Sequence, residues 1–376
     1  MTDVEILFLV LAVIYLSECV LWLPSRCQVL TGVPRRMRPA GAPDVLGNDR
    51  SRLHLLSLVP TSTTLVCHPP NSLLSDAGLF VELPDGTWHH IPFDSTDARS
   101  VCRDGRRLAL GRHTVEAGGN RAAEQRARLV RRLSESTAPR QLVDAHLQRY
   151  TDINRASRRI HVLRERLSIL QQLQLMLLVW IFGAGLILYY FARDGWGALW
   201  RYLIVTFLIW LATVIAAWRC SRRMYPNKSS NRWKDLLFSC VSPLYAVRAS
   251  DRLSLDALGD EHPLAVAAAV MPRDRLTSLA RRCLAELRHP VNSERAAANE
   301  SPAVRDSLVQ ARDMLADALA ESLHSVGIDT EALARPDDQD ADAVCWCPRC
   351  FNQYTVAVEE CPVCPGVGSV SFSAAS

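Results

Sequence analysis

Two apolar runs limit this chain more than anything else in it: residues 175–192, LMLLVWIFGAGLILYYFA, and residues 199–218, LWRYLIVTFLIWLATVIAAW. The first carries no charge, and the second only Arg201 near its start. A helix needs roughly 20 apolar residues to cross the hydrocarbon of a bilayer. Both runs approach that length, and the first extends back through Leu173 and Leu170. Between them stands RDGWG, residues 193–197, whose glycines suit a tight turn. Tyr189, Tyr190, Trp196, Trp200 and Trp218 mark the ends of the runs, where amphipathic rings favour the membrane interface. The expectation is a transmembrane hairpin, with spans over residues 167–192 and 199–219.

Arginine sets the expected orientation. RRIHVLRER (158–166) precedes the hairpin and RCSRRMYPNKSSNRWK (219–234) follows it, while the turn holds one Arg and one Asp. The positive-inside rule puts both flanks in the cytoplasm and the turn outside. A third apolar run, residues 4–23, has an acidic start at Asp3 and Glu5 and no small-residue cleavage pattern. Arg26, Arg35, Arg36 and Arg38 follow it. It therefore reads as a retained anchor with its N-terminus outside, not as a cleaved signal. Glu18 lies inside it, and an ionisable group in a span is a functional candidate by default. Against that, Glu18 is only about 9 Å of helix from Pro24, within reach of interfacial water. With 49% hydrophobic and 22% charged residues, the chain matches neither a polytopic transporter nor a plain soluble enzyme. The expected location is a bacterial cytoplasmic membrane, with most of the soluble mass in the cytoplasm.

The remaining segments follow in order. Residues 24–52 form an Arg/Pro/Gly linker. Residues 53–119 hold short strand-like runs (LHLLSLV, TTLVCH, GLFVEL, TWHHIPF, RRLALG, HTVEA) separated by Pro84-Asp85-Gly86 and Asp104-Gly105, the pattern of a small β-rich domain. Residues 120–166 read as an Arg-rich helical stalk divided at Pro139. In its second half Ile153, Ala156, Ile160, Leu163, Leu167 and Leu170 recur at alternating steps of three and four, a short heptad stripe entering the span. Residues 232–245 place Trp233, Leu236, Leu237, Cys240, Val241 and Leu244 on one face, as in a helix lying on the membrane surface. Residues 246–330 form a helical region broken around Pro263 and Pro272. Its last helix begins at Ser301 with Pro302 in first position, carries an apolar stripe from Leu308 to Ser322, and stops at Gly327. Residues 331–342 form an acidic linker. The fold class predicted is a multi-domain α+β membrane protein with three transmembrane helices.

One constellation carries chemistry. Cys347-Pro348-Arg349-Cys350 is followed after ten residues by Cys361-Pro362-Val363-Cys364. Each C-x-x-C pair can clasp one ion from a tight turn, and four thiolates suit tetrahedral zinc with no position left for water. The intervening FNQYTVAVEE alternates like a strand. Residues 343–376 resemble a zinc ribbon, or the related rubredoxin-type pair of knuckles. The resemblance implies a small β-fold held by structural zinc, whose usual work is binding other macromolecules. Two departures stand out: Pro365 precedes Gly366 where glycine more often follows the cysteine directly, and Cys345 is an extra thiol close by. Disulfides are not expected on the cytoplasmic side. Iron in place of zinc remains the alternative. The other cysteines are scattered in apolar contexts and read as buried thiols.

Elsewhere Cys67, His68, His89, His90 and Cys102 lack ligand spacing, and adjacent histidines on a strand point to opposite faces. No phosphate-binding glycine loop, HExxH or nucleophile elbow is present. The function expected is a non-enzymatic membrane-anchored adaptor or accessory subunit. Its partners would be the bilayer and other membrane or cytoplasmic proteins. The alternative is a membrane-tethered enzyme or redox component using the β-domain Cys and His residues or an iron-loaded four-cysteine site. Nucleic acid is not expected, because Glu359, Glu360 and the acidic linker would repel phosphate.

Overall fold

The computed structural model of the chain describes residues 9–10, 12–13, 15, 28–31, 45–46, 64–67, 72–82, 87–104, 107–111, 113–117, 120–184, 195–224, 237, 239–240, 242–291, 301–336 and 340–372. Most of the N-terminal run with Glu18, the turn at 84–86, residues 185–194 and half of the segment 232–245 lie outside the described residues. What is described is mixed α/β and mostly helical, with small sheets. It divides into two units, one of Met1–Val66 with Arg158–Asp256, the other of Cys67–Ser157 with Ala257–Ser376.

In the first unit β1 (Gln28–Thr31), β2 (Val45–Leu46) and β3 (Thr64–Cys67) form a sheet of order β2-β1-β3. Residues 24–52, expected as a linker, thus supply two strands, because Val29, Leu30, Val45 and Leu46 can pair their backbones across an antiparallel register.

In the second unit, β4 (Ser72–Leu74), β5 (Gly78–Glu82) and β6 (Trp88–Pro92) make one antiparallel meander. A short helix, α1 (Thr96–Arg99), leads to a second meander of β7 (Cys102–Asp104), β8 (Arg107–Leu110) and β9 (His113–Glu116). Then come α2 (Asn120–Glu135) and α3 (Pro139–Thr151), divided where Pro139 occupies the first turn of α3.

The long helix α4 (Ile153–Val179) continues into a π-helical turn, Trp180–Ala184. All six stripe residues from Ile153 to Leu170 are buried. The same rhythm carries on through Gln174, Leu177 and Ile181, also buried. After residues 185–194, α5 (Gly195–Met224) begins at Gly195. Gly195 to Gly197, expected in a turn, are therefore already helical, and the helix outruns its apolar segment to Arg222 and Arg223. Cations in a last turn are favoured there by the helix dipole. Ile153–Gly183 and Trp200–Met224 are both long and apolar enough to cross a membrane. Only 33% and 22% of their apolar windows are buried, whereas a core helix of a soluble domain is mostly covered. Val179, Leu203, Ile204, Phe207, Leu208 and Leu211 are among the exposed side chains.

Within the first unit these helices pack through Leu177, Leu178, Ile181 and Ile209, with Tyr15 and Val247. Polar groups bridge them: Trp180 Nε1 donates to Thr206 Oγ1 at 3.1 Å, and Tyr202 Oη to the Ile181 carbonyl in the π-turn at 2.9 Å. A π-turn displaces carbonyls from their usual partners, and Tyr202 supplies a donor to one of them. Gln174 Nε2 donates to the Ala246 carbonyl at 2.9 Å. That carbonyl belongs to α6 (Pro243–Val247), which Pro243 opens after the Ser242 cap.

Helix α7 (Ala249–Leu258) is followed by α8 (Pro263–Val270) and α9 (Arg273–Arg288), the breaks falling at Pro263 and Pro272. Helix α10 (Pro302–His324) starts on the Ser301 cap, with Pro302 in its first turn, and buries Leu308, Ala311, Leu315 and Leu319. Gly327 ends this region at φ +79°, a conformation that only glycine adopts cheaply. The expected acidic linker opens with structure: α11 (Thr330–Leu333) is capped by Asp329 and buries Leu333. In the second unit α10 packs against α3, α9 and β4, and α2 against β7 and β8. Ser322 Oγ, on α10, donates to the Thr151 carbonyl at 2.6 Å.

Candidate metal centre

The C-terminal segment builds its site from two turns and three short strands. Strands β10 (Cys345–Trp346), β11 (Gln353–Tyr354) and β12 (Val370–Ser371) form an antiparallel sheet of order β11-β10-β12. The stretch between the cysteine pairs is strand only at Gln353–Tyr354, not along its alternating length. Alternation predicts a strand only where one face is covered, and Val356 is 67% exposed.

The first turn closes when the Phe351 amide donates to the Cys347 carbonyl and the Cys347 amide to the Asn352 carbonyl, both at 2.9 Å. Phe351 takes φ 61°, among the described residues the one non-glycine position in the left-handed region. This is where glycine more often stands, and the conformation costs an L-residue about 1–2 kcal/mol. The Phe351 ring is held from two sides, stacked on Trp346 at 6.0 Å and lying 5.4 Å from the Arg281 guanidinium. The second turn is closed by the Cys361 amide on the Val367 carbonyl at 2.9 Å and the Val367 amide on the Cys364 carbonyl at 3.1 Å. Here Gly366 carries the positive φ of 80°, one residue later than usual because Pro365 cannot.

These turns bring the Sγ atoms of Cys347, Cys350, Cys361 and Cys364 within 4.8 Å of one another. Cys350 Sγ and Cys361 Sγ are 3.7 Å apart. Zn–S bonds of about 2.3 Å in a tetrahedron put sulfurs about 3.8 Å apart, so the cluster has the right size. Cys347, Cys361 and Cys364 are buried and Cys350 partly so. The four can hold a metal ion. Burial pushes the thiols of Cys347 and Cys364 up to about 11 and raises that of Cys350. At Cys361 burial is outweighed by the Tyr354 hydroxyl, the Val363 backbone and the Cys347 thiol, which bring it down to about 7. Tyr354 Oη lies 3.0 Å from Cys361 Sγ and is the natural donor to a thiolate there.

Cys345 is buried but stands outside the cluster, its Sγ 3.5 Å from the Val356 carbonyl. Contacts that the sequence did not signal tie the module to α9: Arg349 Nη1 donates to the His289 carbonyl at 2.8 Å, and Val291 packs against the cysteines. Arg349 is the x residue of the first C-x-x-C, and nothing in its spacing pointed to a helix end.

Of the β-domain candidates, His68 lies outside the described residues, and His89, His90 and Cys102 do not converge in this way. His89 and His90 pair with Val81 and Phe80 on β5, and the His90 ring lies 4.7 Å from that of Phe80. Cys102 pairs with Ala109 in the other meander. Among the described residues the four-cysteine cluster is the one candidate metal group. The expectation that the remaining thiols are buried fails at Cys102 and Cys240, which are exposed. Comparison of the chain with protein-family models, with curated proteins and with solved structures gives no match.

Proposed function

We propose that the chain is a membrane-anchored adaptor or accessory subunit whose C-terminal zinc ribbon serves recognition. The observation that carries this reading is the closed four-cysteine cluster, seated on a helix end through Arg349, Phe351 and Val291. Four protein ligands leave a zinc ion no open position for water or substrate, which suits a structural and not a catalytic metal. Zinc is preferred because a closed tetrahedral set of four cysteines is its usual structural site, with iron as the alternative. The two exposed apolar helices support anchoring, and the Arg-rich flanks support three spans with the soluble mass in the cytoplasm.

Metal analysis of the protein purified in mild detergent tests the site, and co-purification tests the role. The expected result is one colourless zinc per chain together with a stoichiometric protein partner. An iron–thiolate absorption spectrum would favour the redox reading. A chain that is consistently solitary and monomeric would refute the adaptor.

A further inference from the structure

Helices α2 and α3 face each other across a cleft of about 260 Å³. Gln125, Arg128, Leu129 and Arg132 stand at i, i+3, i+4 and i+7, so one face of α2 lines it. His146, Arg149 and Tyr150 repeat the spacing on α3. Arg155, in the first turn of α4, and Asp260, between α7 and α8, complete the wall together with Arg126. An arginine-rich helix face is ordinarily just solvated. Here five arginines converge on one concavity.

The carboxylates nearby do not cancel them. Arg155 is held by Asp260 and Glu261, each at 3.2 Å, and Arg128 by Glu124 at 2.5 Å. Arg132 and Arg149 are exposed and form no ion pair among the described residues. The local field is felt by His146, whose imidazole is brought down to about 4 by burial and by Arg126 and Arg149. The imidazole stacks on the Tyr150 ring at 5.7 Å and 11°, which gives the cleft a flat wall.

We propose that this cleft binds a small phosphorylated anion, with Arg132 and Arg149 as its principal phosphate contacts. A single carboxylate needs one guanidinium, whereas a group with several charged oxygens uses two or more in bidentate fashion. The volume lies just below the common range of about 300–1,000 Å³ for ligand sites, which argues for a compact ligand and against a polymer. Arg155 is already engaged by acids and acts as a fixed part of the wall. The site is independent of the metal reading, since none of its residues touches the cysteine cluster.

Isothermal titration calorimetry of the full chain, purified with its native metal in neutral detergent, tests this with inorganic pyrophosphate as the probe. One saturable site is expected. R132Q/R149Q should weaken it at least tenfold, and R132K/R149K, which keeps both charges but loses the planar fork, should fall between. Arg305→Gln removes an exposed arginine outside the cleft and should change nothing. Mixed micelles containing phosphatidic acid distinguish the sources. Competition with pyrophosphate assigns a lipid headgroup, and its absence assigns a soluble ligand. The proposal is overturned if pyrophosphate gives no saturable heat. It is equally overturned if R132Q/R149Q binds like the parent while retaining the parent melting temperature, or if Arg305→Gln costs as much as the double variant.

Discussion

His262 shows how much one buried side chain can carry. It caps α8, its Nδ1 accepting the Leu264 amide at 3.1 Å, and it is 3% exposed. An acceptor nitrogen must be unprotonated, and burial brings this imidazole down to about 3 from its usual 6.5. Above pH 6.5 the folded and unfolded chains are both neutral at this site. Between 6.5 and 3 only the unfolded chain takes up the proton, so stability falls as the pH falls. At about 1.4 kcal/mol per pH unit, moving from pH 7 to pH 5 costs about 2 kcal/mol from this residue alone. Asn is as good a cap and does not titrate. Thermal melts in neutral detergent should therefore show His262→Asn losing less stability than the parent between pH 7 and pH 5. Parallel curves for the two proteins would mean that His262 takes up its proton in the fold as readily as in the unfolded chain.

The C-terminal module is the element in which a bound metal ion would matter most. Its strands are two residues each, too short to hold a sheet by backbone pairing alone. Structural zinc in small modules contributes about 10–16 kcal/mol of binding free energy at neutral pH, which is folding free energy for a segment of this size. Cys361→Ser should remove the metal and the Tyr354 contact together. In hydrogen exchange, the amides of residues 345–367 should lose protection while those of α10 keep theirs. The docking of Arg349 and Phe351 on α9 makes the end of that helix the place where any spread should begin. Retention of a full equivalent of metal that a further Cys345→Ser change abolishes would show that Cys345 has replaced the missing ligand.

For the whole molecule the decisive question is whether, and in which direction, the two apolar helices cross a membrane. The proposed topology places the start of α5 outside and the remaining soluble parts inside. In a variant keeping only the four clustered cysteines, Gly195→Cys should react with an impermeant thiol reagent on intact cells. Ala303→Cys, at the exposed start of α10, should react only after lysis. The reverse pattern would invert the topology, and labelling of both, or of neither, in intact cells would put the two sites on one side and refute the hairpin. The outward-facing Phe207, Leu208 and Leu211 are what make that reading attractive, since water is a poor solvent for such a face.

Much of this was legible in the chain itself. The apolar helices, the heptad stripe on α4, the Pro139, Pro263 and Pro272 breaks, the Ser301 cap and the cysteine spacing are local signals. Periodicity, a missing amide donor and a tight C-x-x-C turn act over a few residues, and no distant partner is needed to read them. Tertiary structure alone decided the pairing of the supposed linker strands β1 and β2, and the burial of Leu333 that gave α11 a place. It also decided that Arg349 docks on α9, and that the arginines of α2 and α3 converge on one cleft. Each of these joins residues far apart in sequence, through contacts that neither segment specifies by itself. The side chain of Phe351 illustrates the division. Its left-handed backbone is an unfavourable local choice, made tolerable by Trp346 and Arg281, which hold its ring only once the chain has folded.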